Sequence, residues 1–298
     1  MKLYELFKKC DYSDDPFPHW TSDAFFPDSI AESLVRNFPN SKDIYKQFYS
    51  DTKYTQNTAY TLQFDSINGS RRVDQDILKE LIDAWQDDYK EIITEISDII
   101  EKTTSIDIKS AIQSMYCRGD FRACSPVTLK NTTQLGPHCD NPRELFAGIV
   151  YLNDKNKEEI DGGDLIIYKL KKNAPKRYMS HKRRIPEKYL NEYKKIRYGY
   201  NKAIFFVPTE LAIHGVSIRM PGREDRRMIN LSVEAAKDST NILWEEKKYM
   251  SKYLYLKSTI GKRIDKHVPK MIKERFFEKF LAEANALGIY KSIEKKWL

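Results

Sequence analysis

Between about residues 110 and 235 the chain is written in short runs of β-branched and aromatic residues, each cut off by Gly, Pro, Asn or Asp. This punctuation limits the possible folds more than any other feature, because runs of that length and makeup pack as strands and are too short for helices. The runs "SPVTLK", "LFAGIVYL", "GDLIIYKL", "AIFFVP" and "RMINLSVE" are the expected strands, and "EEIDGGD" is the expected tight turn. Strands this closely spaced, without helical segments between them, predict a closed or double-sheet β architecture over βαβ repeats.

Helical patterns flank this region. In "DPFPHWTSDAFFPDSIAESLVRNFP" a helix is expected to start near Asp28, with Ile30, Leu34 and Val35 facing inward. A longer one is expected from about Asp74 to Glu101, where Leu78, Leu81, Ile82, Trp85, Tyr89, Ile92, Ile93, Ile96 and Ile100 follow the three-and-four spacing of one buried face. After Glu234 the pattern is helical again, with Ile272, Phe276, Phe277, Phe280, Leu281 and Ala284 in register. The expected organisation is one unit: helical support over 1–109, a β core over 110–235 and a helical extension over 236–298.

Charge is distributed unevenly. Lys169 to Lys202 holds thirteen Lys and Arg against Glu187 and Glu192, a local balance of +11 that exceeds the +8 of the whole chain. A general nucleic-acid-binding protein carries such charge as a broad face, whereas here it sits in one insertion between two strands. The insertion is either a solvated, partly helical flap or a rim element that steers an anionic substrate. Four cysteines without a CxxC pair argue against a disulfide scaffold or a structural zinc site. No apolar run is long enough for a membrane helix, and the start lacks the apolar core of a signal peptide, so a cytoplasmic location is expected.

Five histidines are present, and two of them have chemical context. In "LGPHCDNPR", read as a strand, His138 and Asp140 lie two positions apart, so both reach one point while Cys139 faces away. A third ligand must come from elsewhere, and His214 in "FFVPTELAIHGVSIRMPGREDRR" follows an apolar strand. Two imidazoles and a carboxylate on one face suit nonheme Fe(II), although zinc also accepts these ligand types. Arg226 and Arg227 open the last strand, and a buried arginine grips a carboxylate bidentately in a way lysine does not reproduce.

The ordered set of HxD, "GIVYLND", "DGGDLIIY", "AIFFVPTELAIHGV" and trailing arginines resembles the Fe(II)- and 2-oxoglutarate-dependent oxygenases, closest to the prolyl-hydroxylase-like branch. The resemblance covers about residues 110–235, and "PFPHWTSDAFFPDSIAESLVRNFP" is similar to the opening of bacterial and phage members. It implies a mainly β fold, a double-stranded β-helix (jelly roll, cupin-like) with helices at both ends. It also implies His138, Asp140 and His214 as Fe(II) ligands, and Arg226, with Arg227 as the alternative, as partner of the distal carboxylate of 2-oxoglutarate. The family often carries a serine two positions after the arginine, where this chain has Met228.

The implied reaction consumes O2 and decarboxylates 2-oxoglutarate to succinate while hydroxylating an unactivated C–H bond, with ascorbate as a stimulating reductant. Halogenating relatives need a small residue where Asp140 stands, so the carboxylate points to hydroxylation; desaturation and ring formation stay open. The substrate is a small molecule or peptidyl group, and Arg143, Arg118 and Arg122 are candidate substrate contacts. For Arg118 and Arg122, in "CRGDFRAC", the competing expectation is a turn; for Arg143 it is a surface ion pair. Two alternatives remain. A nucleic-acid dealkylase on the same fold is disfavoured by Met228 and Glu234, where that branch carries arginines; a noncatalytic scaffold that kept the barrel is the other.

Overall fold

The computed structural model describes residues 1–49, 53–55, 58–64, 76–104, 106–127, 135–156, 161–172, 174, 185–236 and 243–244. These fall in one compact unit, Met1–Tyr249. The C-terminal apolar stripe from Ile272 to Ala284, His181 and His267 lie outside the described residues.

The alternation in Arg226–Ala235 shows how the core is built. Ile229, Leu231, Val233 and Ala235 pack into a large apolar cluster shared with helices, while Arg226, Met228, Asn230, Ser232 and Glu234 line a cleft on the opposite face. A period of two on a central strand buried on both sides gives this split. In chain order the elements are α1 (Leu3–Phe7), β1 (Asp11–Ser13), β2 (His19–Ser22), α2 (Asp28–Asn37), α3 (Ser41–Phe48), β3 (Ala59–Gln63), α4 (Asp76–Glu95), α5 (Ser97–Thr103) and α6 (Ile108–Ser114). Then follow β4 (Met115–Cys124), β5 (Glu144–Leu152), β6 (Leu165–Leu170), β7 (Leu190–Ile196), β8 (Tyr200–Phe206), β9 (His214–Val216) and β10 (Arg226–Ala235).

Seven strands form a major antiparallel sheet in the order β1-β2-β8-β5-β10-β4-β3, and three form a minor sheet in the order β7-β6-β9. From β5 onward the chain passes from major sheet to minor, back at β8, out at β9 and back at β10, which is the winding of a double-stranded β-helix. A second apolar cluster joins the sheets: Ala147, Tyr151, Ile204, Phe206 and Met228 of the major sheet meet Leu165, Ile167 and Ile196 of the minor one. On the outer face of the major sheet, α4 buries Leu78, Leu81, Ile82, Trp85, Ile92 and Ile93. Trp85 stacks on Phe146 at 6.2 Å and its Nε1 donates to the Arg118 carbonyl at 2.9 Å. No helix among the described residues is long and apolar enough to cross a membrane.

Several expectations shift. The N-terminal third is more than helical support, because β1, β2 and β3 extend both edges of the major sheet. The long helix breaks at Ile96 (φ −96°, ψ 8°), so Ile100 belongs to α5, and residues 71–75 lie outside the described ones. Inward-facing Ile30 of α2 is only partly buried, and Ala31 takes the core position beside Leu34 and Val35. Residues 125–127 of "SPVTLK" form no strand: Ser125 instead donates its N–H to Thr58 O at 2.9 Å and its hydroxyl to Thr55 O at 2.9 Å. "CRGDFRAC" is no turn but the body of β4, and Gly119 suits a strand there because the Phe64 ring fills the space a Cβ would take. The described part of the basic insertion contains a short 3-10 helix, Glu187–Tyr189, and β7, an edge strand with residues 191–195 exposed.

Candidate metal centre and cleft

His138 lies outside any strand and Asp140 in an irregular segment, because Pro137 and Pro142 deny the backbone two ladder donors. An isolated bridge holds the segment instead, His138 N donating to His214 O at 2.9 Å and His214 N to His138 O at 3.0 Å, flanked by bonds from Val216 N to Leu135 O and from Ile185 N to Pro137 O, both at 2.8 Å. Gly215 permits this approach, since a Cβ there would sit 3.0 Å from Leu135 O and 3.2 Å from Pro137 N. Cys139 faces away, as expected, with its thiol buried and donating to Glu210 O at 3.3 Å.

The bridge converges three side chains. One carboxylate oxygen of Asp140 lies 3.6 Å from His138 Nε2, and the other lies 3.6 Å from His214 Nε2. Ligand atoms of all three are within 4.8 Å of one another. Separations of 3.6 Å are too long for direct hydrogen bonds and suit a shared ion. Each imidazole has its Nδ1 against a backbone carbonyl, Gly136 O for His138 and Ala212 O for His214, both at 3.0 Å. A carbonyl only accepts, so Nδ1 carries the proton and Nε2 presents its lone pair to the common point. Burial lowers the pKa of His214, against the pull of Asp140, which keeps the ring neutral and ready to ligate. The donor set therefore fits a divalent metal with open positions.

These residues line a cleft of about 670 Å³ that also receives Arg226. Arg226 is 5% exposed; its guanidinium lies 5.1 Å from the Tyr151 ring centre and 5.3 Å from that of Tyr198, and Nη2 donates to Tyr151 Oη at 3.3 Å. No carboxylate pairs with it among the described residues, and its Nε is a buried donor without an acceptor. A buried cation in that state is costly unless a ligand completes it. Burial raises the pKa of Tyr151 and pushes that of Tyr198 up to about 12, so both phenols stay protonated. Gly163, at φ +79°, leaves room for the arginine: a Cβ there would lie 3.0 Å from its Cδ and Nε. Arg227 points the other way, donating Nη1 to Val35 O of α2 at 3.3 Å.

The outer cleft is charged but internally balanced. Arg118 pairs with Glu234 at 2.8 Å, and Tyr116 Oη donates to the same carboxylate at 2.7 Å. Arg122 pairs with Asp120 at 3.2 Å, and Asn230 Nδ2 donates to Asp120 at 2.7 Å. Glu144 lines the same wall, and burial, then Asp140 and Glu234, push its pKa up to about 8.

Of the residues expected from sequence, His138, Asp140, His214, Arg226, Arg118 and Arg122 share this cleft, whereas Arg143 and Arg227 do not line it. None of the described insertion residues lines it either. Tyr151, Tyr198, Glu144, Asp120 and Arg219 were not anticipated. Strand alternation through "GIVYL" could have found Tyr151, but Tyr198 and Arg219 stand outside strands and carry no periodic signal.

No family model matches the chain, and no curated protein matches it. Solved structures similar to it are prolyl 4-hydroxylases and 2-oxoglutarate-Fe(II) oxygenases. One is a prolyl 4-hydroxylase of Phytophthora capsici, at a TM-score of 0.45 and 12% identity over 80% of this chain and 64% of that one. Another, from Pseudomonas putida, scores 0.40 at 10% identity over 78% and 97%. A viral collagen prolyl hydroxylase from Paramecium Bursaria Chlorella virus-1, solved as a 2-oxoglutarate complex, scores 0.38 at 14% identity over 74% and 96%. This chain thus spans less than two thirds of the Phytophthora protein.

Proposed function

We propose that the chain is an Fe(II)- and 2-oxoglutarate-dependent oxygenase that hydroxylates an unactivated C–H bond of a small-molecule or peptidyl substrate. The observation that carries the reading is the joint placement, in one cleft, of the His138–Asp140–His214 donor set and the buried Arg226 without an acidic partner. His138, Asp140 and His214 would hold the metal. Arg226 and the Tyr151 hydroxyl would hold the far carboxylate of 2-oxoglutarate, with Tyr198 stacking on the guanidinium. Bound together, Fe(II), 2-oxoglutarate and O2 supply the oxidative decarboxylation that yields succinate and drives hydroxylation.

The protein's own residues prepare this chemistry. The paired Nδ1–carbonyl bonds fix both imidazoles in the ligating tautomer, and the double backbone bridge fixes their spacing. Apolar Ile149, Leu165, Phe206 and Val216 restrict water around the donors. Anaerobic reconstitution with Fe(II) and 2-oxoglutarate, followed by admission of air and measurement of succinate, tests the reading. Succinate formation that disappears in His138→Ala is expected; equal formation with and without that change would refute it.

A further inference from the structure

Ion pairing in the outer cleft leaves one charge over. Arg118 is committed to Glu234 and Arg122 to Asp120, so neither guanidinium is available to an incoming anion without breaking a pair. The partners are satisfied in turn, Glu234 by Tyr116 and Asp120 by Asn230. Glu144 alone among these acids has no ion pair or hydrogen bond to its carboxylate among the described residues. Its position is fixed: it opens β5, stands opposite Glu234 in the β10 register, follows Asp140 by four residues, and lines the cleft that holds the donor set.

We infer that the substrate carries a cationic group, an alkylammonium or guanidinium, that pairs with Glu144 while its C–H bond lies at the His138–Asp140–His214 end of the cleft. The inference rests on the oxygenase reading and adds the substrate's charge to it. An anion beside Glu144 meets Glu234 and Asp120 as well, with Arg118 and Arg122 already engaged; of the other arginines lining the cleft, Arg219 donates to Ser125 O and Arg226 is taken by 2-oxoglutarate in this reading. A cation meets an acid without a partner inside a partly desolvated wall; pairing draws off the proton that burial keeps on Glu144 in the free protein, and the resulting charge-assisted hydrogen bond is strong there. This differs from the expectation of an anionic substrate drawn from the basic insertion.

The test compares three small probes of similar shape, butylguanidinium, pentanamide and pentanoate, by calorimetric titration of the full chain with Mn(II) and 2-oxoglutarate present. Mn(II) fills the donor set without turnover, so Asp140 does not compete for the probe. Wild type is expected to favour butylguanidinium over pentanoate by about tenfold or more, and the near-isosteric Glu144→Gln to abolish most of that preference. Glu144→Lys is expected to reverse the order. Equal or tighter binding of pentanoate by wild type overturns the inference, as does an unchanged preference in both variants. The prior Mn(II) and 2-oxoglutarate titrations separate the two levels: if neither binds, the oxygenase reading fails and takes this inference with it. If both bind and the cation is not preferred, only the inference fails.

Discussion

His138 and His214, far apart in the chain, exchange backbone hydrogen bonds at 2.9 and 3.0 Å, and this bridge sets the distance between their imidazoles, whose ring centres lie 4.5 Å apart. The geometry of the candidate donor set is thus held by main chain as much as by side chains. Whatever separates the two segments should weaken metal binding even when every ligand is intact.

Gly215 is the most direct lever. In Gly215→Val the added carbons press on Leu135 O and Pro137 N, and overpacking of this kind costs roughly 1–3 kcal/mol. Mn(II) affinity, read by electron paramagnetic resonance, is expected to fall at least about tenfold. Gly222→Ala, where a Cβ meets nothing within 4 Å, is expected to leave it unchanged.

Arg226 and Arg227 are adjacent yet face opposite sides of β10. Arg226→Lys is expected to weaken 2-oxoglutarate binding by about tenfold or more, because an ammonium cannot replace the planar fork between two tyrosines. Arg227→Lys is expected to spare that affinity and instead lower thermal stability slightly through the lost contact with Val35 O. Calorimetry and thermal melts of both variants check the pair.

Acid should destabilise the metal-free protein through His214. Burial holds its folded pKa below the ordinary histidine value of 6.5, so below that pH the unfolded chain takes up the proton first. Stability present above pH 6.5 is therefore lost as pH falls toward the folded pKa, with a slope of at most about 1.4 kcal/mol per pH unit for one group. Urea unfolding at a series of pH values measures the slope, which is expected to be smaller in His214→Asn.

Two thiols should resist alkylation. Burial pushes Cys10 up to about 12 and Cys139 higher still, so neither forms appreciable thiolate at pH 8. Iodoacetamide treatment of the native protein followed by peptide mass spectrometry is expected to leave both unmodified, and to label both after denaturation.

Much of this could be read from the chain because strand alternation and ligand spacing are local signals. Ile229, Leu231 and Val233 announce one face of β10, which in turn assigns Arg226 to the other. His138 and Asp140 were legible as a converging pair but in the wrong local structure, since two prolines break the strand that their spacing suggested. What escaped was set by tertiary approach. Gly119 looks like a turn residue until Phe64 is seen over it, and Glu144 looks like an ordinary strand-start acid until the arginines around it are found paired elsewhere. Edge strands as short as β1 and β9, three residues each, leave too little sequence for any period to register.

The central claim is that one cleft binds Fe(II) and 2-oxoglutarate together. Anaerobic titration of the purified chain with both, followed by visible absorption, tests it most directly, because a keto acid chelated to Fe(II) gives a charge-transfer band that neither component gives alone. The account predicts a saturable band at one equivalent of each, absent in Asp140→Ala and requiring more 2-oxoglutarate in Arg226→Lys. A chain that binds neither component, or a band that survives unchanged in Asp140→Ala, would contradict it.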